Sequence, residues 1–341
     1  MDSRELVQRA LEFAQPARIP RQLWLLPWAT EHYPNMVEML DQRYPNDIVT
    51  SPAFLAAEPR TVGDPYQPGM YVDEWGCAFE NKQRGVIGEV KEPLLKHWRQ
   101  WETIQPPLEW LTVSVGQVNA FCGATDKFVL AGCNPRPFEQ LQFIRRTDNL
   151  YMDLMDQPEE LFKLLARIHN FYLQQLELWA STDVDALTFM DDWGAQRTLL
   201  ISPDLWRQVF KPLYRDYIDL AHSRGKYAFM HSDGHTAEII PDLVEMGLDA
   251  LNTQIFCMDI EDLGRRFAGR LTFWGEIDRQ HLLPFGSAGD IVDAVHRARR
   301  ALYRDGGVIA QCEFGPAARP ENVLQVFEAW AEPQCPSSAP C

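Results

Sequence analysis

From residue 126 onward the chain alternates short apolar runs with longer amphipathic stretches. DKFVLAGC is followed by PEELFKLLARIHNFYLQQLELWAS at 158–181, ALTFMDDWG by PDLWRQVFKPLYRDYIDLAHSRG, and YAFMHSDG by TAEIIPDLVEMG. The same alternation continues through ALNTQ, DIEDLGRRF, LTFWGEI, a helical pattern from about 288 to 304, GVIAQCEFG and ENVLQVFEAW. Short apolar runs bounded by turn residues read as buried strands, and apolar residues recurring every three or four positions read as helices. Repeated strand–helix units call for a mostly parallel sheet, because parallel neighbours need a crossover long enough to hold a helix. RQLWLLPW, Asp47-Ile48-Val49 and LTVSV near 111 supply further strand candidates, and residues 34 to 44 a short helix.

A doubly wound sheet ordinarily carries a glycine-rich nucleotide loop after an early strand, and this chain has none. About eight strand candidates without that loop favour an α/β fold of the (β/α)8 TIM-barrel type. Residues 56 to 96, rich in proline and glycine and containing MYVDEW and GVIGEV, read as an N-terminal hairpin-bearing excursion. Residues 1–332 are expected to form one barrel domain, with 333–341 as a flexible tail.

Forty-eight acidic against 32 basic side chains give a net charge of −16, which disfavours nucleic acid and anionic membranes as partners. No run approaches the length of a membrane span, and MDSRELVQRALEF lacks the basic-then-apolar order of a signal peptide, so a cytoplasmic location is expected. The seven cysteines are widely spaced with no CxxC pair, which argues against a disulfide framework.

In a barrel, residues just past the strands meet at one mouth. The candidates there are Asp47, Asp73, Glu74, Asp191, Asp192, His231, Asp233, His235, Gln254, Glu276, Asp278, Cys312 and Glu313. His231, Asp233 and Cys312 offer nitrogen, oxygen and sulfur, and three protein ligands plus an open position is the pattern of catalytic zinc. The competing reading is a buried thiol and a hydrogen-bonded histidine that never meet. Asp191 or Asp192 either orients a substrate or caps a loop. Trp193 and Trp75 are either flat walls of a site or ordinary packing.

FMHSDGHTAEIIPDLVEMGLDALNTQ, RLTFWGEIDRQHLLPFG and FGPAARPENV, in that order, resemble the uroporphyrinogen decarboxylase superfamily, over about residues 3 to 329. The resemblance implies a (β/α)8 barrel and two kinds of activity, porphyrinogen decarboxylation and methyl transfer to corrinoid or thiol acceptors. Asp47 in YPNDIVTSP matches an aspartate that contacts pyrrole nitrogens in the decarboxylases, and Tyr151 in NLYMDLM matches an active-site tyrosine. Their arginine-bearing MRQAGRY motif has no counterpart near LWLLPWATEHY, Asp192 stands where they carry serine, and Cys312 stands where they carry a late histidine. The methyltransferase branch holds zinc through an HxC pair and a later cysteine. His231, Asp233 and Cys312 occupy the corresponding positions, with Asp for the first Cys.

The expectation is therefore a metal-assisted methyltransferase acting on a small-molecule substrate, with a zinc ion held by His231, Asp233 and Cys312. Asp47, Tyr151, Asp192 and Glu276 complete the expected catalytic set. A corrinoid would ride on a separate partner protein, since this chain lacks the DxHxxG run of a base-off corrinoid binder. A uroporphyrinogen decarboxylase-like lyase and a non-enzymatic small-ligand or carrier-protein binding barrel are the alternatives, and a homodimer is open.

Overall fold

A computed structural model describes residues 1–332; the expected tail at 333–341 lies outside the described residues. Eight parallel strands form one sheet: β1 (Arg21–Leu25), β2 (Ile48–Thr50), β3 (Phe128–Leu130), β4 (Ala186–Met190), β5 (Tyr227–Ser232), β6 (Ala250–Thr253), β7 (Thr272–Trp274) and β8 (Val308–Phe314). Their spatial order is β1-β8-β7-β6-β5-β4-β3-β2, the order of a nearly closed (β/α)8 barrel. Asp47, immediately before β2, donates its N–H to the carbonyl of Arg21 at the start of β1.

Two units are distinguished along the chain: Met1–Asp47 with the part from Gln254 onward, and Ile48–Thr253. In the first, β1 runs parallel to β8 with Leu23 opposite Cys312. The opening helix Ser3–Leu11 is capped by Asp2, whose carboxylate accepts from Glu5 N–H at 2.8 Å, and it buries Leu6, Val7, Ala10 and Leu11. In the second, β3 is buried at every position and β4 at all but its last, as parallel strands covered on both faces should be. The 22-residue helix Glu159–Ala180 buries Leu161, Leu164, Leu165, Ile168, Phe171, Tyr172, Leu176 and Trp179 along one side.

The excursion lies between β2 and β3 and is a three-stranded antiparallel meander, Gly69–Val72, Ala78–Asn81 and Glu89–Val90. Asp73 closes its first turn by accepting from the N–H groups of Trp75 and Cys77 at 3.0 and 2.6 Å. LTVSV differs from expectation. It follows a 3-10 turn at Leu108–Leu111 and leads into a helix at Val115–Gly123, with a single bridge from Val113 to Leu55. Its β-branched composition is strand-like, but Ser114 accepts from Val118 N–H through its carbonyl and starts a helical turn instead. PDLWRQVFKPLYRDYIDLAHSRG is likewise two helices, Pro203–Val209 and Lys211–Ser223, because Pro212 has no N–H to continue the first ladder.

Among the described residues no helix is long and apolar enough to cross a membrane, and Cys77, Cys122, Cys133, Cys257 and Cys312 form no disulfide with one another.

Candidate metal centre

β4, β5 and β6 run side by side, with Met190 opposite His231 and His231 opposite Asn252. His231 is the penultimate residue of β5, Asp233 follows that strand, and Asp192 stands two residues past β4. One donor atom from each of Asp192, His231 and Asp233 lies within 4.8 Å of the others. His231 Nε2 is 3.5 Å from Asp192 Oδ1 and 3.7 Å from Asp233 Oδ1. These separations are too long for good hydrogen bonds. They are close to the roughly 3.3–3.5 Å between ligand atoms that tetrahedral coordination at ~2.0–2.1 Å imposes.

The orientation of the ring follows from its other nitrogen. His231 Nδ1 lies 2.6 Å from Asn252 Oδ1, and an amide oxygen only accepts. The proton of the neutral imidazole is therefore on Nδ1, and the lone pair on Nε2 faces the two carboxylates. Asn252 is fully buried on β6 and was not among the sequence candidates; its signal was the strand register, which sequence periodicity does not give. Replacing Asn252 with Ala is expected to leave the fold intact and weaken zinc affinity by about 10- to 100-fold, measured by competition with a chromogenic chelator.

The two loops that carry the carboxylates are locked together. Asp233 N–H donates to Asp192 Oδ1 at 2.9 Å, Gly194 N–H to Asp233 O at 3.0 Å, and His235 N–H to Ala195 O at 2.9 Å. Gly234 has φ +77°, and a Cβ there would sit 2.1 Å from Gly194 O. A Cβ on Gly194 would sit 2.2 Å from His235 N, so both positions require glycine for the loops to approach this closely.

Glu139 adds a fourth carboxyl group to this environment. It lies in the first turn of the helix Pro137–Arg145, and its Oε2 is out of solvent with no hydrogen-bond partner. Burial, reinforced by Asp192, pushes its carboxyl up to about 7, against the pull of Arg136. Between the ordinary carboxylate range and pH 7 the folded state thus keeps a proton that the unfolded chain has released. This contribution is complete at low pH and lost as pH rises through about 7. Glu139→Gln mimics the protonated form, so in chelator-treated protein it is expected to stabilise at pH 8, by at most about 2 kcal/mol, and to be neutral at pH 4. Urea midpoints at the two pH values check this.

Asp191, the neighbour of Asp192, has a structural role. It is fully buried and accepts from Phe138 N–H at 3.0 Å, Glu139 N–H at 2.7 Å and Tyr214 O–H at 2.5 Å, capping the helix that carries Glu139. Trp193 and Trp75 are packing. Trp193 is fully buried, stacks on Phe138 at 4.2 Å and donates Nε1–H to Tyr214 at 2.9 Å, while Trp75 meets Phe171 edge-on at 5.5 Å.

Asp47 lies where β1 and β2 begin, not past a strand end, because the apolar segment it belongs with, Ile48–Thr50, follows it. Its carboxylate is taken by Arg18 through two contacts of 2.6 Å, by Ser3 Oγ at 2.7 Å and by Arg21 N–H at 2.9 Å. Tyr151 is half-buried on the helix Thr147–Asp156, where burial pushes its phenol up. In the first unit, Glu276 is buried after β7 with Oε1 3.6 Å from Arg279, which also contacts Glu313 at 3.1 Å. Cys312 is fully buried in β8, where burial, and then Glu276 and Glu313, push its thiol up and keep it protonated. His235 lies 3.2 Å from Glu238 in the turn that follows.

The family model for uroporphyrinogen decarboxylase (URO-D) matches residues 73–333. The chain belongs to this family. The fold of this URO-D family member is shared with a methyltransferase from Methanosarcina mazei, at 15% identity, 97% coverage of this chain, 98% of that one and a TM-score of 0.67. A 3-keto-D-glucoside 4-epimerase from E. coli is 15% identical over 63% of this chain and 83% of that one, with a TM-score of 0.39. No curated protein matches.

Proposed function

We propose that this chain is a cytoplasmic, metal-assisted methyltransferase that moves a methyl group between a small substrate and a corrinoid or thiol acceptor, the corrinoid being carried by a separate protein. The observation that carries the reading is the convergence of Asp192, His231 and Asp233 at the ends of adjacent strands, with Nε2 of His231 turned toward both carboxylates. Zinc suits one imidazole and two carboxylates, and a bound ion would supply Lewis acidity at a substrate heteroatom. Asp192 and Asp233 hold the ion with His231, Asn252 fixes the imidazole, and Glu139 holds a proton at its carboxyl group near the same carboxylates. Cys312 is left out of the ligand set, and Asp47 is assigned to strand anchoring. The likeness of fold to the M. mazei methyltransferase over nearly the whole of both chains supports this branch of the superfamily.

Decarboxylation of a porphyrinogen with eight carboxylates fits poorly. Asp192 and Asp233 put negative charge at the site, and Arg136 already interacts with Glu139 and Asp191. The zinc-loaded protein is to be given methanol, methylamine, dimethyl sulfide or anisole together with reduced free cobalamin as a surrogate acceptor. Methylcobalamin formation from one of these donors, lost in His231→Ala, is expected, with no coproporphyrinogen formed from uroporphyrinogen under anaerobic conditions. Robust coproporphyrinogen formation, undiminished in His231→Ala, overturns the proposal.

A further inference from the structure

The first unit contains a cavity of about 620 Å3 where β1 and β8 begin, bordered by the ends of the helices Ala288–Leu302 and Pro320–Ala331. A volume of this size holds a small organic molecule. Three arginines line it, in a chain with a net charge of −16. Only Arg18 is neutralised directly, by its paired contacts to Asp47. Arg21 gives Nε–H to Pro45 O at 3.1 Å and sits over the Tyr44 ring, and its two terminal nitrogens make no hydrogen bond to the described residues. Arg299 donates from its terminal nitrogens to the main-chain carbonyls of Trp330 and Glu332, while its Nε is buried with no partner among the described residues.

Trp330 supplies a second buried donor of the kind seen at Arg299 Nε. Trp330, 7% exposed, lines the cavity, and its Nε1–H is buried with no hydrogen-bond partner among the described residues. Buried polar groups ordinarily find partners, and every group left without one here is a donor. These donors therefore lack an acceptor among the described residues, and two guanidinium groups without a carboxylate contact there call for a charged one. Burial, together with the neighbouring Arg18, pushes the Arg21 guanidinium down, the effect of a cation held without enough negative charge.

The rest of the lining limits what the ligand is. Tyr303, Phe327 and Trp330 supply aromatic surface for an apolar body. Asp305 and Glu332 also line the cavity, held by Gln15 at 3.1 Å and His296 at 2.8 Å, and their charge disfavours a dianion. We propose that this cavity is a binding site for a small aromatic or apolar carboxylate, its carboxylate group held by Arg21, Arg299 and Trp330 and its body by the aromatic wall. This site belongs to the first unit and takes no part in the methyl-transfer proposal, whose residues all lie in the second.

Benzoate is the probe, titrated calorimetrically into the full chain, with benzamide as its neutral counterpart and inorganic phosphate as the competing anion. One benzoate per chain is expected, with a dissociation constant on the order of 0.1–1 mM for so small a ligand. Benzamide is expected to bind at least about tenfold more weakly, and Arg21→Gln to weaken benzoate by about tenfold. Ala17 is an exposed cavity-lining residue in the loop before β1, so Ala17→Trp fills the cavity from its rim without entering the core and is expected to abolish binding. Circular dichroism confirms that both variants are folded. Absence of saturable benzoate binding overturns the proposal, as does equal affinity for benzamide or tighter binding of phosphate. Benzoate binding unchanged by Ala17→Trp places the ligand elsewhere and overturns it equally.

Discussion

Trp193→Ala is expected to destabilise the protein by about 3–5 kcal/mol, lowering the urea midpoint with little change in slope. The indole is fully buried in an aromatic cluster, stacked on Phe138 at 4.2 Å, with Phe210 at 4.8 Å and Trp206 at 6.2 Å. Removing it leaves a large cavity and takes the Nε1–H donor away from Tyr214, whose hydroxyl in turn donates to Asp191. The loss therefore reaches the cap of the helix that carries Glu139. Trp193→Phe keeps part of the packing and loses the donor, so its midpoint should fall between those of wild type and Trp193→Ala. A midpoint unchanged in Trp193→Ala would show that the cluster contributes little.

The second large effect concerns the donor set. His231→Ala is expected to reduce zinc affinity by more than about 100-fold, a larger loss than for Asn252→Ala, because it removes a ligand and not the group that orients one. The fold should survive, since His231 is the penultimate residue of β5 and the core positions of that strand, Ala228, Phe229 and Met230, precede it. Thermal unfolding of metal-free wild type and variant should then nearly coincide, while added zinc raises the midpoint of the wild type alone. Equal stabilisation of both by zinc would place the ion away from His231.

The strand–helix rhythm made the barrel legible because parallel strands must bury both faces and their crossovers must be amphipathic, and both leave periodic traces in sequence. LTVSV misled because β-branched residues at a loop that enters a helix look like a strand until the main-chain bond from Val118 to Ser114 is known. Asp192, His231 and Asp233 were visible as polar residues at the ends of apolar runs. Asn252 was not, since it looks like one more residue of a short strand until the β5–β6 register sets it opposite His231. Asp47 shows the opposite difficulty. A polar residue between a turn and a three-residue strand does not reveal which strand end it marks, and the Arg18, Ser3 and Arg21 contacts that fix its role come from segments distant in sequence.

The most direct measurement is zinc content per chain after equilibration in a single zinc buffer, compared for wild type, Asp192→Asn and Cys312→Ser. One equivalent in the wild type, retained in Cys312→Ser and lost in Asp192→Asn, is the expected result. No zinc in the wild type, or loss in Cys312→Ser with retention in Asp192→Asn, would contradict the assignment of the centre to Asp192, His231 and Asp233.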